Sequence, residues 1–163
     1  MRMELIQPFI NAADAVLAET LGTPTRVGEL TMDEEAYRRK GIASLVTIKG
    51  DIEGRIIFDI DTPTATKVAS YLTGGPVPES EEVASETACE LANMVIGSAI
   101  TALNDQGFRF KVHPPVVHME DTGEKSSEDQ EAVVMCFDTQ TGNVFMNIAL
   151  RYNRRRRVDS KPG

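Results

Sequence analysis

Glu90 and Asn93 stand three residues apart inside a stretch, Ser80 to Gly107, whose apolar periodicity predicts one long helix. On a helix this spacing puts a carboxylate and an amide on one face, a turn apart. The carboxylate can pair with a cation. The amide has no protonation equilibrium near neutral pH, so it cannot act as a base. It can hold a water by accepting one hydrogen bond and donating another. Glu82, Glu86, Gly97 and Asn104 fall on the same stripe, and the residues opposite are apolar. Gly97 follows Asn93 by one turn, in a helix interior where Gly costs roughly 1 kcal/mol relative to Ala. A position without a side chain leaves room for close approach to the backbone. Glu82, Glu86 and Glu90 repeat at four-residue intervals with no basic neighbour at i+4. Their mild repulsion is of the kind that a partner's cation relieves. Against this, a polar stripe is most often the solvated face of an amphipathic helix, and chance supplies many E-x-x-N pairs.

Several elements must hold that helix in place. Leu5, Phe9, Ile10, Ala13, Val16, Leu17 and Leu21 recur at helical spacing from Glu4 to Leu21, with Pro8 expected near the first turn and Gly22 and Pro24 as the stop. Arg26 to Met32 alternates weakly as a β stretch. Ala43 to Lys49 and Arg55 to Asp61 are β-rich runs flanking a Gly50–Gly54 segment, which reads as a hairpin. Thr62 as N-cap and Pro63 at the first helical position open a short helix that runs to Leu72 and ends at Gly74-Gly75. Ser80, Glu81 and Glu82 start the long helix, with acids where the helix dipole favours them. Strands are expected at 108–112, 116–119, 133–138 and 144–152, with a charged loop over 120–130. The order of helix, strands and helix, then helix and strands, suggests a weak internal two-fold repeat. It favours an α+β layered domain of long helices packed on an antiparallel β-sheet over a doubly wound fold.

At 163 residues the chain is about one domain long, expected over 1–153 with a basic tail at 154–163. Its net charge of −8 is uneven: residues 151–163 carry +5, which leaves −13 on residues 1–150. So acidic a body repels phosphate backbones, which argues against nucleic acid as the main partner. The Arg154–Arg157 run reads as a solvated tail. Cys89 and Cys136 show no CxxC spacing and fit buried roles in a reducing, cytoplasmic compartment. No apolar run reaches the roughly 20 residues of a membrane span. His113 and His118 stand alone, so no metal site of the chain's own is expected.

Residues 46–75, with the Gly54 hairpin, the T-A-x-x-V-A helix and Gly74-Gly75, and residues 85–115, with E-L-x-N-M-x-x-G and Pro114-Pro115, resemble the CheX branch of the CheC/CheX/FliY chemotaxis phosphatases. The resemblance extends over most of residues 3–152. It implies a CheC-like fold and a phosphatase acting on the aspartyl phosphate of a CheY-like response regulator. Glu90 would pair with the regulator's lysine and Asn93 would hold the attacking water. Glu82, Glu86 and Gly97 would lie in the partner contact, and Mg2+ would be bound by the partner's own acids. A homodimer joined through sheet edges is also implied. The family motif usually carries an Asp or Ser type residue four before the Glu, where this chain has Glu86. Helix 1 offers only Glu4-Leu-Ile-Gln7, which resembles a single-site CheX rather than a two-site CheC.

Two other readings compete. One is a non-catalytic module of the same fold that binds a response regulator or a flagellar-switch component. The other is an unrelated enzyme using Glu86 and Glu90 as acid and base, which would need a concave pocket.

Overall fold

The computed structural model describes residues 3–34, 40–118 and 131–153. The elements run α1 (Met3–Leu21), β1 (Arg26–Val27), β2 (Thr31–Glu34), β3 (Ile42–Gly50), β4 (Ile52–Ile60), α2 (Thr62–Thr73), α3 (Glu81–Asp105), β5 (Phe110–Val112), β6 (Val116–His118), β7 (Glu131–Thr139) and β8 (Gly142–Tyr152). The loop expected over 120–130 and the basic tail at 154–163 lie outside the described residues.

All eight strands form one antiparallel sheet in the order β1-β7-β8-β4-β3-β5, with β2 beside β7 and β6 beside β3. The order is a two-fold pattern. The central pair, β4 with β8, runs in register from Ile52↔Tyr152 to Ile60↔Val144. Each central strand then pairs with its hairpin partner, β3 or β7. Each outer hairpin strand is edged by two short strands that follow the long helix of the opposite half. The expected repeat is therefore present, with edge strands exchanged between halves; among the described residues α2 has no counterpart.

The three helices of the described residues cover one face of the sheet. The inward positions of α1 expected from its periodicity, from Leu5 to Leu21, are all buried. They join Val46, Ile48, Ile56, Phe58, Met135, Phe137, Met146 and Ile148 of the sheet in one core. Each fully buried aliphatic or aromatic side chain there contributes roughly 1.5–3 kcal/mol.

The structure corrects several local expectations. Pro8 lies in the second turn of α1, one turn further in than the first turn, where a missing N–H would go unused. Arg26 to Met32 is split: β1 and β2 are separate pieces, with Gly28 N–H donating to the Cys136 carbonyl between them at 2.8 Å. Asp61, not Thr62, caps α2, its carboxylate accepting from Thr64 N–H at 2.7 Å, and Pro63 is the second helical residue. Asp61 is the last extended residue, with φ of −74° and ψ of 159°, and Thr62 already belongs to the helix. Gly54 is not a turn residue. It lies within β4 opposite Leu150 with φ of +144°, and a Cβ there would run into the Ala149 carbonyl oxygen.

Candidate active site on the outer face of α3

α3 is anchored at its start by Ser80, whose hydroxyl accepts from Val83 N–H at 3.0 Å, with Glu81 and Glu82 in the first turn. Ala84, Ala88, Leu91, Ala92, Val95, Ile96, Ala99 and Leu103 face inward and are buried. α1 and α2 both pack against α3, and β3 lies beneath it. A helix held on so many sides is a rigid mount for whatever its free face carries.

That free face carries every stripe residue singled out in the sequence. Glu82, Glu86, Glu90, Asn93, Gly97 and Asn104 are all exposed. At 100° per residue they fall within an arc of roughly 100°, with Glu90 and Asn93 separated by about 4.5 Å along the axis. Leu91 and Ala92, between them, are 2% and 0% exposed, so the backbone that spaces the pair is fixed in the core. Among the described residues neither the Glu90 nor the Asn93 side chain makes a hydrogen bond or an ion pair, which leaves both available to a partner. A Cβ added at Gly97 would meet nothing within 4 Å. The absence of a side chain there relieves no internal crowding.

Thr101 also lies on the stripe, exposed one turn beyond Gly97. The sequence reading passed over it, although its i+4 spacing from Gly97 was visible. Cys89 precedes Glu90, but burial pushes its thiol above the ordinary range, away from nucleophilic use.

The stripe lies on the exposed face of α3. The surface depression bounded by Ser70, Tyr71, Gly74 and Gly75 and the apolar void bounded by Leu17, Phe58, Leu91, Val95 and Phe137 do not include Glu90 or Asn93. Among the described residues no group of three or more His, Cys, Asp or Glu is arranged to hold a metal ion, and no helix is long and apolar enough to cross a membrane. A projecting carboxylate and amide suit insertion into a concavity that another molecule provides.

Comparison with known proteins gives this face its context. The family described as chemotaxis phosphatase CheX matches residues 42–138. The CheY-P phosphatase CheX of Thermotoga maritima is 25% identical over 118 residues, covering 72% of this chain and 76% of that protein. The CheX of the CheX–CheY–BeF3–Mg2+ complex from Borrelia burgdorferi superposes with a TM-score of 0.70 at 30% identity, covering 92% of this chain and 99% of that one. A CheC-like superfamily protein from a Shewanella species gives 0.78 at 22% identity, covering 93% and 99%, and agrees in fold. The sequence match spans β3 to β7, including all of α3 and its exposed stripe, and the chain belongs to the chemotaxis phosphatase CheX family.

Proposed function

We propose that this protein hydrolyses the aspartyl phosphate of a CheY-like response regulator, with Asn93 orienting the attacking water and Glu90 docking against a lysine of the regulator. The observation that carries the proposal is the joint exposure of Glu90, Asn93 and Gly97 on one face of a rigidly packed helix. The reasoning is chemical. An acyl phosphate is already activated, so a hydrolase needs mainly to place water in line with phosphorus. An amide suits that task, since it both donates and accepts. Glu90 supplies a charge-assisted contact that fixes the approach of the helix, and Glu86 and Glu82 extend the same acidic edge. Gly97 lets the partner's surface come against the backbone. The described residues offer no cluster suited to a divalent ion. We assign Mg2+ to the regulator's own acids, and this chain's part is to bind, to orient and to hold water.

The relative from Borrelia burgdorferi, a CheX in complex with CheY, BeF3 and Mg2+, supports the choice of partner. Two free thiols, Cys89 and Cys136, support a cytoplasmic setting. The short strands β1/β2 and β5/β6 at the two edges of the sheet support self-association through an edge.

The test is release of phosphate from a phosphorylated CheY-like regulator in the presence of Mg2+. Wild-type protein accelerates release and Asn93→Ala does not. Binding of the phosphorylated regulator without any acceleration by the wild type would instead identify a docking module of the same fold.

A further inference from the structure

Beneath α3 the sheet presents an almost wholly apolar surface. The helix-facing positions of β3 and β4 between Ile42 and Ile60 hold aliphatic residues, Phe58 and Gly54, interrupted by one hydroxyl, Ser44. Ser44 is 0% exposed, and its Oγ donates to the backbone carbonyl of Ala88 in α3 at 3.0 Å. In the helical ladder that carbonyl also faces the N–H of Ala92. The bond therefore enters the turn, Ala88 to Ala92, that carries Glu90 and leads into Asn93.

The apolar packing around this contact is poorly directional. The buried face of α3 mixes small residues, Ala84, Ala88, Ala92 and Ala99, with Leu91 and Val95, which border one apolar void together with Phe58 and Phe137. Burial of that kind holds the helix on the sheet but carries no directional requirement of its own. A buried hydroxyl is different, because it is costly unless its partner is met with good geometry. Ser44 is itself fixed, paired with Phe58 on one side and Val117 on the other. We propose that Ser44 is a positioning residue: its bond to Ala88 sets the rotation of α3 about its axis and so aims Asn93 and Glu90 into the partner.

This inference rests on the role proposed above for Asn93. The test is single-turnover dephosphorylation of a phosphorylated regulator by the full chain, resolved into maximal rate and half-saturating concentration. Ser44→Ala should lower the maximal rate about tenfold with little change in half-saturation, as misaimed catalytic groups do. Backbone amides of 88–93 should exchange with deuterium faster. Thr139→Val is the control, since it also removes a buried hydroxyl, but at the β7–β8 turn, where Thr139 Oγ1 meets Thr141 and Gly142. It should keep the full rate even where its melting temperature falls as far. Ser44→Cys, close in shape with a weak donor, should lie between wild type and alanine and serves if Ser44→Ala does not fold. A maximal rate within twofold of wild type for Ser44→Ala, or an equal loss in Thr139→Val, would overturn the assignment. Full activity in Asn93→Ala would remove the reading beneath it instead, so the two failures are distinguishable.

Discussion

Glu90 and Asn93 project from a single turn of α3 into solvent, while Leu91 and Ala92 between them are sealed in the core. The alternation makes the pair a rigid two-point probe. Neither Cβ can change its height or bearing without moving a helix that packs on α1, α2 and β3. A partner would therefore meet a preset backbone and have only the two side chains' rotamers to order, which limits the entropy lost on binding.

The sharpest test falls on Asn93. Asn93→Ala leaves the core untouched, because the residue is exposed. Its thermal unfolding should match wild type, while phosphate release from a phosphorylated regulator should fall by about 10²–10³, the usual cost of losing one orienting group. Affinity for a beryllofluoride-activated regulator should change only a few-fold. A variant that still turns over at the wild-type rate would strip Asn93 of its role.

Glu90 should act on binding before chemistry. Glu90→Lys places a like charge against the regulator's lysine and should raise the dissociation constant by at least about tenfold, with Glu90→Gln intermediate. Association of the wild type should weaken as salt rises through about 0.15 M, where the screening length is roughly 8 Å. The charge of −13 on residues 1–150 works in the same direction, drawing a basic surface toward the acidic edge. Calorimetric titration at two ionic strengths measures both effects.

The stripe was legible in the sequence because helical periodicity and exposure are the same information: apolar residues at Ala84, Ala88, Leu91 and Val95 fix which face looks outward. The α+β layering and the repeat were legible for a related reason, since the order of elements constrains topology. What escaped depended on contacts distant in sequence. Gly54 has the composition of a turn residue, and only the approach of β8 reveals it as a strand position where no side chain fits. Thr62 is as good a cap by type as Asp61; the choice lay in where the β4 backbone delivers the chain. Ser44 reads as one more polar residue in a β run until α3 is laid across it.

Gly54→Ala tests the correction to the hairpin. A methyl group there meets the Ala149 carbonyl, which is backbone and cannot swing away, and φ of +144° disfavours any L side chain. The central β4–β8 pair would have to part. Destabilisation of about 3 kcal/mol or more is expected, enough to consume much of a typical domain's stability. Denaturant unfolding within about 1 kcal/mol of wild type would contradict the placement of Gly54 in the strand.

Gly97 separates fold from function in the opposite sense. An added Cβ meets nothing within 4 Å, and the position lies in the interior of α3, eight residues from its end at Asp105. Intrinsic helix propensity then acts alone, so Gly97→Ala should stabilise the isolated protein by about 1 kcal/mol. If a regulator's surface closes against the backbone at this turn, the same methyl obstructs it. Gly97→Ala should weaken binding several-fold, and the bulkier Gly97→Leu should abolish it while the protein stays folded. On the proposed contact, a glycine where the free fold would gain from alanine is accounted for by what it leaves open to another molecule. Should Gly97→Leu bind an activated regulator as tightly as wild type, the contact on α3 would have to be moved away from this turn.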